Sequence, residues 1–164
     1  MARVLFLFAT SLLATITGPL VAAPLVISTG EQTSAIIVVS AKAGTNEAQA
    51  ARDLATYIER MTGSSLRIAN TEDAIKKALA GKGPTLIVGQ LALRESASLA
   101  NDIKASLKKS PHLRIDGIGL RRIGTRVYLA GNNDLAHYFA VAELLRRWGC
   151  RWYLPTEFGE CIPE

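Results

Sequence analysis

The sequence is poor in the side chains that bind metals. Its 164 residues include two cysteines and two histidines, whereas a structural zinc site takes three or four such ligands. The cysteines, Cys150 and Cys161, lie apart in sequence from the histidines, His112 and His137. We therefore expect neither a bound metal nor a cofactor.

The chain also lacks a concentrated charge of one sign. Its formal net charge is +5, and its basic residues occur as scattered pairs at 76–77, 108–109, 121–122 and 146–147. A nucleic-acid-binding surface needs positive charge clustered on one face or along one helix. These pairs therefore predict solvated faces and no nucleic-acid partner.

Glycine-rich phosphate loops are missing as well. Gly89 follows a predicted buried strand, where it could line a ligand crevice at the carboxyl ends of the strands. No other glycine accompanies it, and Gly117 and Gly119 fall within a continuing strand pattern. A structural role is favoured for all three glycines.

No pair of carboxylates is placed for hydrolysis. Glycoside hydrolysis uses two carboxyl groups held roughly 5–10 Å apart. Asp53 and Glu59 fall on a predicted amphipathic helix and should be solvated, while Glu157 and Glu160 lie in a C-terminal loop that holds geometry poorly. His137 is expected to be a partly exposed polar residue, with no serine or cysteine nucleophile beside it to activate. The sequence therefore predicts no catalytic residue.

One apolar run stands out, at the start of the chain. Arg3 precedes a mostly apolar stretch over residues 4–16, which Gly18-Pro19 interrupts before the small residues 21–23. The run is shorter than the roughly 20 residues that span a bilayer. This pattern is typical of a cleavable signal peptide over residues 1–23, with a membrane anchor as the alternative. We expect export to the periplasm or the extracellular space, and no stable membrane span after processing.

Residues 24–164 have the length of one domain. Short β-branched runs alternate with amphipathic helical patterns, and Gly124-Thr125 marks the turn of a late hairpin. The fold class predicted is α/β (α+β), with a single mixed sheet and helices packed on it. The predicted strands cover residues 35–40, 66–68, 85–88, 113–120, 126–130 and 151–154; the helical patterns cover 47–61, 72–79, 91–107 and 135–145.

The C-terminal segment is rich in aromatic side chains. Trp148 ends a predicted helix, and Trp152 and Tyr153 should point to opposite faces of a strand, so that at most one faces outward. Packing in the core or between domains is favoured for them. Trp152, Tyr153 and Glu157 are the candidates for contact with a glycan or another domain.

This segment resembles the end of a known domain. Trp148-Gly149-Cys150-Arg151-Trp152-Tyr153-Leu154-Pro155, followed by Gly159-Glu160 and Ile162-Pro163, resembles the N-terminal α/β domain that precedes the catalytic barrel of bacterial α-glucuronidases. The β-N-acetylhexosaminidases carry a similar domain. Residues 51–63, 86–89 and 116–118 fit the same pattern. One departure is the helix entry near Ala136-His137, where many relatives place a glycine and the residues here are larger.

The resemblance implies a non-catalytic accessory domain of an exported carbohydrate-active protein. In those families the hydrolytic carboxylates lie on the barrel, which would follow Glu164. The domain would pack against that barrel, its partner, and help to shape the substrate cleft. A free-standing module that binds a glycan or a protein is the alternative, and a small enzyme in its own right is a third hypothesis.

A disulfide between Cys150 and Cys161 is a further expectation. Exported chains meet oxidising conditions, and a strand followed by a returning loop could bring the two Cα atoms within the roughly 4.4–6.8 Å that a bridge needs. The alternative is that Cys150 is a small buried residue and Cys161 a terminal free thiol.

Overall fold

The computed structural model describes residues 23–29, 33–107 and 116–163. The predicted signal peptide, apart from Ala23, lies outside these ranges, as do His112 and the first part of the predicted strand 113–120. Within the described ranges, no helix is long and apolar enough to cross a membrane.

The predicted fold class is confirmed: helices pack on a mixed five-stranded sheet that carries a late antiparallel hairpin. The strand order is β2-β1-β3-β5-β4, in which β4 alone is antiparallel to its neighbour. The elements are β1 Ile36–Val38, α1 Thr45–Thr62, β2 Arg67–Ala69, α2 Glu72–Ala80, β3 Thr85–Val88, α3 Gln90–Glu95, α4 Ala97–Ser106, β4 Ile118–Ile123, β5 Arg126–Gly131, α5 Asp134–Arg147, β6 Arg151–Trp152 and β7 Glu160–Cys161.

The order in which the strands are added to the sheet reverses after β2. The chain runs from β1 outward to β2 and then returns past β1 to form β3 on the other side. All four residues of β3 are buried, because this strand is covered by helices on both faces. Such a reversal leaves a crevice at the carboxyl ends of β1 and β3, where open α/β sheets commonly bind ligands.

Successive residues of each strand point to opposite faces, and this alternation builds two cores. On one face Ile37, Leu86 and Leu129 pack against α1 and α5. On the other face Val38, Ile87 and Tyr128 pack against α2, α3 and α4. Helix α1 contributes Leu54 and Ile58, among other residues, to the first core, one turn apart on its apolar stripe.

The stretch 91–107, for which the sequence predicts a helical pattern, forms two helices. α3 ends at Glu95, and Ser96 begins α4 by accepting a hydrogen bond from the N–H of Leu99 at 3.4 Å. A side-chain oxygen at this position satisfies a donor that a new helix leaves unpaired. Both helices, α3 and α4, pack over the second core.

The last predicted strand, residues 151–154, is shorter than expected. β6 ends at Trp152 and pairs with β7 in a separate two-stranded sheet, with Arg151 opposite Cys161 and Trp152 opposite Glu160. A 3₁₀ turn over Glu157–Gly159 connects the two strands. We call residues 150–163 the tail.

Candidate binding site between two helices and the tail

Hydrogen bonds centred on Tyr57 hold the tail against α1. The indole N–H of Trp152 donates to Tyr57 Oη at 2.6 Å, and Tyr57 Oη donates to Glu160 Oε1 at 2.8 Å. The Arg60 guanidinium pairs with Glu160 Oε2 at 2.5 Å. The Trp152 ring meets the Tyr57 ring edge-on, with centroids 5.4 Å apart and an interplanar angle of 84°. One helix residue therefore orients both an aromatic ring and a carboxylate of the tail.

These contacts fix the charge of Glu160. The hydrogen bond from Tyr57, followed by that from Arg60, lowers the pKa of Glu160 below its usual value. Burial raises the pKa of Tyr57, which remains a neutral donor. Glu160 is thus a carboxylate near neutral pH, which is the opposite of what a general acid in glycoside hydrolysis requires.

A second polar pair joins α1 to α5. Tyr138 Oη donates to Asp53 Oδ2 at 2.9 Å, and Gln49 Nε2 donates to Asp53 Oδ1 at 2.6 Å. Burial, with Asp53 adding to it, raises the pKa of Tyr138 to about 12. Asp53 was expected to be solvated, but it is half-buried, because α5 lies across this side of α1.

Between these two pairs lies an open cavity of about 600 Å³. We call it the tail cavity. Volumes of roughly 300–1,000 Å³ are usual for small-molecule sites. The lining residues come from α1, α5 and the tail: Asp53, Tyr57, Tyr138, Val141, Ala142, Leu145, Trp152, Leu154, Pro155, Thr156, Glu157 and Glu160. The structure thus brings two predicted contact residues, Trp152 and Glu157, to one site.

Tyr153 lies outside the cavity lining and faces solvent. It is 75% exposed, whereas Trp152 is 41% exposed and turns its indole toward Tyr57, so Tyr153 is the one of the two that faces outward. The N–H of Tyr153 donates to the carbonyl of Gly159 at 2.8 Å, and the chain turns there. Leu154 and Phe158 are also exposed, by 60% and 99%, and Leu154 lines the tail cavity as well.

The two cysteines are free thiols in the structure, one buried and one exposed. Arg151 pairs with Cys161 across the hairpin, so Cys150, one residue earlier, points toward the opposite face. Its thiol contacts Met61 Sδ at 3.8 Å, and burial raises the pKa of this thiol. The disulfide stays a prediction.

A buried polar cluster at the carboxyl ends of the strands was not anticipated. Glu47, in the first turn of α1, is 2% exposed, and its Oε1 accepts the N–H of Gln90 at 2.9 Å. Its Oε2 accepts the N–H of Gly44 at 3.4 Å. Burial is the main cause that raises the pKa of Glu47. Gly89 lies against this carboxylate, since a Cβ on Gly89 would be 2.1 Å from Oε1.

Asp134 caps α1 from the start of α5. Its carboxylate accepts the backbone N–H groups of Glu47 at 3.0 Å and of Asn46 at 3.1 Å. Burial alone would raise its pKa, but these hydrogen bonds outweigh it and the pKa of Asp134 is lowered. Gly44 occupies the cap position, and Asp134 supplies the acceptor that glycine lacks.

His137 is 1% exposed, so the expectation of a partly exposed residue is wrong. Its Nδ1 accepts the N–H of Gly131 at 2.9 Å, and within the described residues its Nε2 has no hydrogen-bond partner. Burial lowers the pKa of this imidazole, which keeps it neutral near pH 7. A signal was present in the sequence: His137 is one helical turn before the core residue Val141. This buried polar cluster joins the N-terminal ends of α1, α3 and α5. Its carboxylates accept hydrogen bonds from backbone N–H groups.

Among the described residues, no group of three or more histidine, cysteine or carboxylate side chains is arranged to hold a metal ion. Comparison with protein-family models, curated proteins and solved structures finds no match for this chain. The functional inference therefore rests on the geometry of the tail and of the cavity beneath it.

The Tyr57 network gives a direct prediction for the tail. Tyr57→Phe keeps the ring but removes the oxygen that Trp152 and Glu160 share. We expect amide hydrogen exchange in residues 150–161 to become about 5- to 30-fold faster, because two hydrogen bonds are lost and each contributes about 1 kcal/mol. Hydrogen–deuterium exchange with mass spectrometry measures this rate. The control is Tyr153→Phe, on the exposed ring; equal exchange in both variants would show that Tyr57 does not hold the tail.

Proposed function

We propose that this is a non-catalytic accessory domain of an exported carbohydrate-active protein, and that its tail packs against a catalytic domain. The observation that carries the proposal is the exposure of three large apolar side chains in one short segment of the tail, Tyr153, Leu154 and Phe158, which we call the tail patch. Large apolar side chains that adjoin one another on a surface commonly mark an interaction site. Aromatic residues are also enriched among those that carry binding energy.

The patch is held in place before any partner arrives. Tyr57 and Arg60 fasten the start and the end of the hairpin to α1, and Ile162 packs against the first core. Gly159 lets the chain close tightly, because a Cβ there would be 2.3 Å from the backbone nitrogen of Leu154. A preorganised surface loses less conformational entropy on binding than a loose segment.

The carboxylates of the tail support a role other than catalysis. Retaining and inverting glycosidases pair a carboxylic acid of raised pKa with a second carboxylate. Glu160 has a lowered pKa and is committed to Tyr57 and Arg60. We therefore expect the chain by itself to hydrolyse neither aryl glucuronides nor aryl N-acetylglucosaminides. The sequence resemblance supports the same role, with the hydrolytic groups on the partner domain.

The test begins with the DNA that follows the codon for Glu164. A glycoside hydrolase barrel should be encoded in the same frame or by an adjacent gene for an exported protein. The purified domain is then titrated with that barrel by isothermal titration calorimetry. We expect the triple variant Tyr153→Ser, Leu154→Ser and Phe158→Ser to bind at least about 30-fold more weakly than the wild type.

Ile123→Ser is the matched control, because Ile123 is an exposed large apolar side chain on β4. It should bind like the wild type. The proposal is overturned if no such barrel is encoded there, or if the triple variant and the control bind equally well.

The tail cavity favours a second candidate function, that of a glycan-binding module. Its volume and its mixture of aromatic and carboxylate side chains suit a small polar ligand.

A further inference from the structure

The tail cavity has aromatic walls and an acidic lining. Tyr57, Tyr138 and Trp152 supply rings, while Asp53, Glu157 and Glu160 supply carboxylates. No lysine or arginine of the described chain lines it. Arg60 pairs with Glu160 from beside the cavity and also lies within electrostatic reach of Glu157. Three carboxylates against this one guanidinium leave the interior acidic.

The hydrogen-bonding groups of the cavity are mostly acceptors. Both tyrosine hydroxyls already donate their protons, Tyr57 to Glu160 and Tyr138 to Asp53. Within the described residues the side chain of Glu157 has no hydrogen bond or salt bridge, and it is exposed to solvent. Carboxylate oxygens can each accept more than one hydrogen bond. A ligand that fits must therefore bring donors, and a positive charge improves its fit.

We propose that the tail cavity binds an amino sugar, with the protonated amine directed to Glu157 and Asp53. An ammonium group carries three donors and no acceptor, which matches this lining. The apolar face of a sugar ring suits the aromatic walls, and a cation near an aromatic ring gains further attraction. A uronic acid is disfavoured, because its carboxylate would meet like charges. This inference rests on the proposed carbohydrate role and names the class of sugar.

Isothermal titration calorimetry of the full chain at about pH 6, where an amine is protonated, tests the inference. The probes are the β-1,4-linked disaccharide of glucosamine, its doubly N-acetylated form and a disaccharide containing glucuronic acid. The glucosamine disaccharide should bind at least about tenfold more tightly than the acetylated form, since a hydrogen bond to a charged group contributes more than a neutral one. The glucuronic acid disaccharide should give no measurable heat of binding.

Glu157→Gln should weaken binding of the glucosamine disaccharide about tenfold. Glu157 is exposed and lies in a turn, so the melting temperature of this variant should match that of the wild type. Glu59→Gln, on the exposed side of α1 and outside the cavity, is the matched control and should leave affinity unchanged. Equal affinity for the two glucosamine derivatives, or an unaffected Glu157→Gln variant, overturns the inference.

Two further outcomes separate this inference from the docking proposal. Binding of a trilysine peptide without binding of any sugar would assign the cavity to a basic side chain of a protein partner and overturn the amino sugar. Glu157→Gln leaves Tyr153, Leu154 and Phe158 intact, so barrel docking should persist in that variant. Failure of sugar binding with docking retained therefore counts against the cavity alone.

Discussion

Gly89→Ala is expected to destabilise the domain by about 3–5 kcal/mol. Gly89 has φ +73° and ψ −139°, a backbone conformation that is essentially restricted to glycine and costs other residues about 1–3 kcal/mol. The new Cβ would also lie 2.1 Å from Glu47 Oε1. Glu47 is buried and bound to the N–H of Gln90, so moving it away leaves that donor unpaired, at a further cost of about 1–3 kcal/mol.

Gly63→Ala is the matched control for this substitution. Gly63 has nearly the same φ, +72°, but a Cβ added there would meet nothing within 4 Å. The left-handed conformation alone should cost about 1–2 kcal/mol. Urea unfolding followed by circular dichroism measures both variants. Equal losses of stability in the two would show that the contact with Glu47 contributes nothing.

Glu47→Leu is expected to lower the free energy of unfolding by about 2–4 kcal/mol in acid. The substitution removes the carboxyl group that accepts the N–H groups of Gln90 and Gly44, so both donors are left without a partner. The cost should shrink as the pH rises. Burial raises the pKa of Glu47 in the folded state, so the folded protein binds this proton more tightly than the unfolded chain does. The stabilisation is therefore fully present below the unfolded pKa and is lost as the pH rises through the folded pKa.

The measurement is the difference in unfolding free energy between the wild type and Glu47→Leu across that range of pH. His137 changes stability in the other direction, because its lowered pKa makes the fold lose stability on acidification. Its contribution is present in both proteins and cancels in the difference. Glu59→Leu, on the exposed side of the same helix, should change stability by less than about 0.5 kcal/mol at every pH. A difference that stays constant or grows with pH would contradict the assignment to Glu47.

Local patterns predicted most of the main sheet. The β-branched runs placed β1, β2 and β3, and the Gly124-Thr125 turn placed the hairpin of β4 and β5. Strand order was out of reach, because β1 pairs with both β2 and β3 through registers that no local pattern encodes. Hydrophobic periodicity reports which face of an element is buried, but not which neighbour covers that face.

In the buried polar cluster, periodicity and charge give conflicting signals. Glu47 lies one helical turn before Ala51, and two turns before Leu54, on the buried stripe of α1. Its position indicates burial, while its charge indicates exposure to solvent. Charged side chains are seldom fully buried unless they are paired, and the partners of Glu47 are the backbone of the loop before α1 and the start of α3. Such partners are fixed by the tertiary fold.

The position of the tail is set by contacts that are still more distant in the sequence. Trp152 and Glu160 stand in the sequence as an aromatic and an acidic residue near the C-terminus, but their positions depend on Tyr57, 95 and 103 residues earlier in the chain. Nothing in the spacing of Tyr57 along α1 distinguishes it from a residue on the margin of the core. The cavity therefore exists only where distant parts of the chain meet, and no local pattern predicts it.

The strands at the two margins of the main sheet bear on how the protein behaves at high concentration. β2 and β4 are the outermost strands, and unpaired backbone groups on such strands can recruit another chain and begin aggregation. β2 has three residues and carries exposed Arg67, while β4 carries Arg121 and Arg122. Two approaching copies would bring like charges together along these margins. Arg67, Arg121 and Arg122 thus oppose the addition of a further strand at either margin.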